Sequence, residues 1–168
     1  VAGDELQRQL GYWERQLAEV EPLQLPTDRP RNTAPSGPAS MVSARLDADT
    51  VGRLRELAKQ HHGTLATALL SAFQAVLGRY SGQQDVVVGM PIAGRREEGV
   101  EALIGIFLNT LAIRSDLSGN PSFDELLRRV SNDVLDASAH QDVPFEQVIE
   151  RVQPSRDLGR TPIFQVMF

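Results

Sequence analysis

Five prolines, Pro22, Pro26, Pro30, Pro35 and Pro38, stand in the stretch between residues 22 and 40. Each fixes φ and removes a backbone donor, so neither a helix nor a paired strand can run through them. An extended connector is expected there, with Leu25 to Arg31 (L-P-T-D-R-P-R) at its centre. The chain is thereby divided into a short leading segment, residues 1–40, and a body, residues 41–168.

The leading segment predicts one helix over residues 4–20. Leu6, Leu10, Trp13, Leu17 and Val20 recur at steps of three or four and share a face. In the body, Met41 to Leu46 alternates and predicts a strand with one buried face. Asp47 or Asp49 caps the next helix, which carries Val51, Leu54, Leu57 and Ala58 and ends at Gly63. Thr64 caps a third helix with Leu65, Leu69, Phe73, Val76, Leu77 and Tyr80 on its apolar face. Val86-Val87-Val88, within Asp85 to Met90, predicts a strand buried on both sides. Pro91 to Gly99 reads as a loop, with Gly89 and Gly94 permitting unusual φ where the chain leaves the sheet. Leu108 to Ile113 is a further strand. Ser122, with Glu125 three residues on, forms a capping box for a helix whose stripe is Phe123, Leu126, Leu127, Val130 and Val134. A short helix from about Pro144 to Val152, with Asp142 as a candidate cap, and a last strand from Ile163 to Phe168 complete the pattern. Strands and helices interleave, so the class is α/β (α+β) with a mixed sheet packed by helices. The start of the chain, without an initiator Met, and its end inside an apolar strand suggest a piece of a longer polypeptide.

Composition narrows the chemistry. The 168 residues suffice for one domain with a real core. A formal net charge of −5 argues against nucleic acid, whose phosphates need a basic face. With no cysteine there is no disulfide, thiolate metal site or Cys nucleophile, as suits a cytoplasmic protein. No apolar stretch approaches the ~20 residues of a membrane span. Lys59 is the only lysine.

The catalytic candidates are weak. His61-His62 sits at a predicted helix C-terminus, where the helix dipole favours histidine, and lacks a third metal ligand. His140 has no nucleophile beside it in a recognisable pattern. Gly89 to Arg95 follows a strand but matches neither the dinucleotide fingerprint nor the phosphate-binding loop. Asn109, beside a strand, needs partners for its amide. Residues alone leave open a structural role and a role in binding a substrate amide.

Three runs read together are more specific. Ile104 to Arg114 (I-G-I-F-L-N-T-L-A-I-R), His140 to Glu146 (H-Q-D-V-P-F-E) and Arg156 to Phe168 (R-D-L-G-R-T-P-I-F-Q-V-M-F) resemble the fifth, sixth and seventh core motifs of condensation domains from nonribosomal peptide synthetases. Upstream, Gly11-Tyr12-Trp13 with L-P-T-D-R-P-R looks like the family's inter-lobe connector, and Asp85 to Arg95 like its strand and loop. The resemblance implies one of two chloramphenicol-acetyltransferase-like lobes that together form a V. A tunnel between the lobes would admit the phosphopantetheine arms of a donor and an acceptor peptidyl carrier protein. These arms are tethered substrates, and no cofactor is bound directly. The amine of one attacks the thioester of the other. The family's catalytic H-H-x-x-x-D-G is absent: after His61-His62 its Asp and Gly places hold Ala66 and Thr67. The chain is therefore expected to be the C-terminal lobe, with the histidine in the N-terminal lobe as its partner, and to be inactive alone.

By the same resemblance Asn109 would lie near the tunnel, and Arg114 would make a structural ion pair. Gly89, Pro91 and Arg95 would shape the loop near the lobe interface, while His140, Pro144, Phe145 and Phe164 would hold the lobe together. An epimerization domain would carry Asn-Tyr in place of Asn109-Thr110, and a free-standing acetyltransferase would need its own H-x-x-x-D-G. Heterocyclization domains differ chiefly in the missing N-terminal motif and are excluded less firmly. The rival from another class is a non-catalytic condensation-like module that recruits a carrier protein or tailoring enzyme.

Overall fold

The computed structural model describes residues 3–28, 40–94, 99, 103–105, 107–152 and 160–168. Among the described residues five helices and two strands follow in the order α1 (Asp4–Gln16), α2 (Ala48–Gln60), α3 (Leu65–Ser81), β1 (Asp85–Ala93), β2 (Leu108–Asp116), α4 (Phe123–Ala139) and α5 (Phe145–Val152). The strands pair antiparallel from Asp85↔Asp116 to Ala93↔Leu108. Successive side chains alternate across a strand. On one face Ser115 meets α3 and α4 through Gln74 and Asp133. On the other face Arg114 reaches the carbonyls of Gln16 and Ala18 at the end of α1. The sheet is thus sandwiched, with α3 and α4 on one side, α2 packed outside them, and α1 and α5 on the other. One apolar cluster runs through the sandwich, from Leu10 and Trp13 of α1 and Leu17 just after it through Val86, Val88, Leu111 and Ile113 to Leu126, Val130 and Val148.

Local chemistry explains most boundaries. Asp47 caps α2 by accepting from Thr50 N at 2.8 Å. Thr64 and Thr67 form a reciprocal capping box on α3, at 3.2 and 2.8 Å. Gly82 ends α3 in the left-handed conformation, φ 73°. Ser122 caps α4 by accepting from Glu125 N at 3.2 Å. The expected box there stays half made, because the Glu125 carboxylate pairs with Arg128 and Arg129 instead.

Several expectations are corrected. Met41 to Leu46 forms no strand: Met41 and Val42 are 90% and 95% exposed, and no described strand lies alongside to complete a ladder. The turn that closes α2 uses His62, φ 55°, as its left-handed residue, not Gly63. Pro91 and Ile92 belong to β1, not to a loop. Gly89 turns its own N–H and C=O away from β2, to Val166 O and Phe168 N. Pro91, two residues on, has the same orientation, so its missing N–H costs the β1–β2 ladder nothing. The last segment is not a full strand. Only Gly89↔Met167 bridges, in parallel, which makes the sheet mixed at its edge. Before it, Ile163 has φ 69°, and Phe164 N closes a tight turn on Pro162 O at 2.8 Å. A β-branched residue there costs ~1–3 kcal/mol, offset by burying Ile163 and Phe164.

The buried side of α3 is rotated from the expected one. Thr67, Ala68, Leu70, Ser71, Gln74, Leu77 and Gly78 are buried, while Val76 and Tyr80 are exposed. Small residues let α3 approach its neighbours, and Gln74 supplies hydrogen bonds that leucine could not. Arg95, Pro30, Pro35, Pro38 and Arg156 to Gly159 lie outside the described residues.

Candidate functional site

The three runs singled out in the sequence converge in space. Asn109, at the start of β2, donates from Nδ2 to Gln141 O and Val143 O, both at 2.8 Å. Its Oδ1 accepts from Thr110 N at 2.8 Å and from Phe145 N at 3.1 Å. Both amide hydrogens and both oxygen lone pairs are used within the fold. The side chain therefore staples β2 to the turn between α4 and α5, and has no bonding capacity left for a substrate amide in this arrangement.

That turn is fastened from α1 as well. Trp13 Nε1 donates to His140 O at 2.9 Å, and Gln9 exchanges hydrogen bonds with Asp142, Nε2 to Oδ2 at 3.1 Å and Oε1 from N at 3.2 Å. The Tyr12 and His140 rings stack at 3.9 Å, 4° from parallel. His140 Nδ1 lies 2.7 Å from Asp136 O and Nε2 lies 3.0 Å from Arg8 Nη1. Arginine only donates, so Nε2 accepts and the proton is assigned to Nδ1. His140 is thus tied down on both nitrogens. Arg8 also grips Glu5, whose carboxyl is held down at about 2 by the Arg8 and Gln9 hydrogen bonds.

The third run joins through aromatics. Phe145 and Phe164 stack with centroids 5.2 Å apart, and Phe164 lies against Gly89 of β1. A Cβ at Gly89 would sit 2.5 Å from two Phe164 ring carbons. Gly89 is required for close approach rather than unusual φ, and Gly94 likewise, since a Cβ there would meet Phe107 O at 2.5 Å. Pro144 precedes α5, its carbonyl accepting from Gln147 N and Val148 N.

Arg114 forks onto Asp85, Nη2 to Oδ2 at 2.7 Å and Nε to Oδ1 at 2.9 Å, while Nη1 donates to Gln16 O and Ala18 O. One guanidinium thus joins both strands to the orphan carbonyls of α1. Arg114→Ala is expected to lower stability by about 2 kcal/mol in urea unfolding, and Arg114→Lys to recover less than half of that, because an ammonium cannot fork.

No motif or spacing pointed to the buried polar residues Gln9, Gln74 and Ser115, or to Asp133. Burial pushes the Asp133 carboxyl up to about 6 against the opposing Ser115 hydrogen bond, and the Asp136 charge adds to the rise. Tyr12 is raised mainly by burial. The one available clue is position: Gln9 and Gln74 fall on their helices' apolar faces. His61 Nε2 lies 3.7 Å from the Asp124 carboxylate, apart from this cluster. Among the described residues no group of three or more His, Asp or Glu could hold a metal ion. Nor does any described helix have the length and apolarity to cross a membrane.

The motif residues therefore form one interlocked structural cluster, and the match to known proteins runs along nearly the whole chain. A family model described as Condensation domain matches residues 2–168. The chain belongs to the condensation-domain family. Malpibaldin synthetase of Mortierella alpina is 49% identical over 164 residues, which cover 97% of this chain and 3% of that protein. A four-domain nonribosomal peptide synthetase bound to AMP and glycine superposes with a TM-score of 0.90 at 27% identity, covering 99% of this chain and 13% of the other. The X-domain in its complex with OxyB from teicoplanin biosynthesis superposes with a TM-score of 0.91 at 33% identity, covering 97% and 36%. The chain thus spans a small part of the synthetases it matches, and about a third of one condensation-type domain.

Proposed function

We propose that this chain is the C-terminal lobe of a condensation domain that joins carrier-bound donor acyl and acceptor aminoacyl groups in nonribosomal peptide synthesis. The observation that carries this reading is the family match along residues 2–168 together with the convergence of the three motifs. In the reaction the acceptor amine attacks the donor thioester carbonyl, the C–N bond forms, the C–S bond breaks, and the thiol stays on the donor carrier. The chain's share is to build one tunnel wall that positions the two arms, with Asn109 fixing the segment that lines it. The general base or positioning histidine belongs to the N-terminal lobe. A cytoplasmic setting and two carrier-protein partners belong to the same reading. Exposed apolar residues at the β1–β2 connection, Leu103, Ile104 and Leu108, suit a face covered by the rest of such a domain.

Positioning of two tethered reactants supplies much of the rate in such a reaction, and one wall alone cannot provide it. The isolated chain is expected to show no turnover above background with loaded donor and acceptor carriers, where the whole domain forms the amide. Amide formation by the isolated chain at the rate of the whole domain would overturn the assignment.

The likeness to the X-domain seen with OxyB favours one alternative, a non-catalytic recruiter of a tailoring enzyme. An intact H-H-x-x-x-D-G in the other lobe and turnover by the whole domain favour condensation. A ruined motif with partner binding retained favours recruitment.

A further inference from the structure

We infer that Asp133 carries a proton in this folded arrangement, and that the proton closes a hydrogen-bonded clasp running from α4 through β2 to α3. A count of hydrogens points to it. Gln74 and Ser115 are buried, 0% and 1% exposed. Gln74 Nε2 donates to Ile113 O at 3.2 Å, which turns Oε1 toward Ser115 Oγ, 3.1 Å away. The same Ser115 Oγ lies 3.1 Å from Asp133 Oδ2. A hydroxyl has one hydrogen and here faces two acceptors. With Asp133 ionised, one of the two contacts has no hydrogen between its oxygens. Flipping the Gln74 amide gives no relief, because Oε1 would then face Ile113 O. With Asp133 protonated, its O–H donates to Ser115 Oγ, Ser115 O–H donates to Gln74 Oε1, and Gln74 N–H donates to Ile113 O. Every contact then holds a hydrogen.

The carboxyl is pulled both ways: a hydrogen bond from Ser115 to the carboxylate holds it down, and burial pushes it up and prevails. Asp136 on α4 and Asp116 on β2 repel a further negative charge. Arg129 on α4 attracts one, but it is engaged by Glu125 at 3.0 Å and Asp116 at 3.9 Å. Tyr12 faces the carboxyl from α1, and α3 contributes the neutral Gln74. Burial, the leading cause, brings Asp133 up to about 6.

The folded value lies above the ordinary 3.8, so the folded chain binds this proton more tightly than the unfolded one. The contribution to stability is full below about pH 4 and is lost as pH rises through about 6. Glu5, Asp47, Asp116 and Glu125 are shifted downward and act in the opposite direction, so the effect must be read as a difference. Asp133→Asn supplies a permanent N–H toward Ser115 Oγ and copies the protonated acid.

The test is urea unfolding of the full chain and its Asp133→Asn variant from pH 4 to pH 7.5. The variant should gain relative to the natural chain as pH rises, with the ratio of unfolding constants moving by a factor between about 10 and 100. A ratio that stays constant across this range would overturn the inference. The natural chain supplies a second readout if the variant folds poorly. In the difference between the infrared spectra of the natural chain and Asp133→Asn, a carboxylic-acid C=O band should be present at about pH 5 and fade by about pH 7; its absence from that difference at about pH 5 overturns the inference equally.

Discussion

Gly89→Ala is expected to lower the stability of the chain by about 3 kcal/mol or more and to release its last segment from the sheet. The added Cβ would lie 2.5 Å from Cε2 and Cζ of Phe164 and 2.9 Å from Cδ2. The ring cannot slide away freely, because Phe145 is stacked on it and it is 7% exposed. Moving it gives up most of an aromatic side chain's burial. The backbone at Gly89 is extended, so alanine brings no conformational penalty of its own and the whole cost is steric. The same displacement strains the two bonds from Gly89 to Val166 O and Phe168 N. Urea unfolding gives the magnitude, and hydrogen exchange at the Phe168 amide shows the release. A double-mutant cycle assigns the cause. With Phe164→Ala already in place, Gly89→Ala should cost less than about 1 kcal/mol. An unchanged cost in that background would mean that the glycine answers to something other than the ring.

Asn109→Ala should be nearly as damaging, at about 3 kcal/mol. Four hydrogen bonds disappear together, and the carbonyls of Gln141 and Val143 and the amide of Phe145 lose partners in a half-buried turn. Asn109→Asp is the sharper variant. It keeps an acceptor for Thr110 N and Phe145 N but sets a carboxylate oxygen against two carbonyls. It should therefore be at least as destabilised as the alanine at neutral pH and partly recover in acid, where the carboxyl regains a hydrogen. In the whole domain, the staple role requires that turnover by Asn109→Ala, assayed well below its lowered melting temperature, stay within about threefold of the natural rate. Loss of turnover with no change in melting temperature would place the amide on the substrate instead.

The two substitutions also mark how far the sequence could be read. Apolar periodicity, the β-branched run Val86 to Val88, and caps such as Asp47, Thr64 and Ser122 located the helices and both paired strands to within a few residues. Asn109 was legible as a polar residue in need of partners, but not its choice among them, since three of its four partners lie 32 to 36 positions away. Gly89 was legible as a special position for the wrong reason. A glycine-rich stretch after a strand suggests an exit with unusual φ, whereas the requirement comes from the Phe164 ring, far along the chain. Met41 to Leu46 shows the converse limit. Alternation alone predicts a strand, but a strand forms only where a neighbour offers a ladder, and the described residues offer none.

Local chemistry thus settled the five helices, the two paired strands, most caps and the family, because periodicity, capping and motif spacing are properties of neighbouring residues. Tertiary structure decided which side of α3 is buried, that Pro91 sits within a strand, that Asn109 is spent on the α4–α5 turn, and that Ser115, Gln74 and Asp133 must share their hydrogens. Each of these depends on a close approach between segments distant in sequence. There one missing Cβ or one missing hydrogen decides the arrangement, and no short window of sequence contains both sides of the contact.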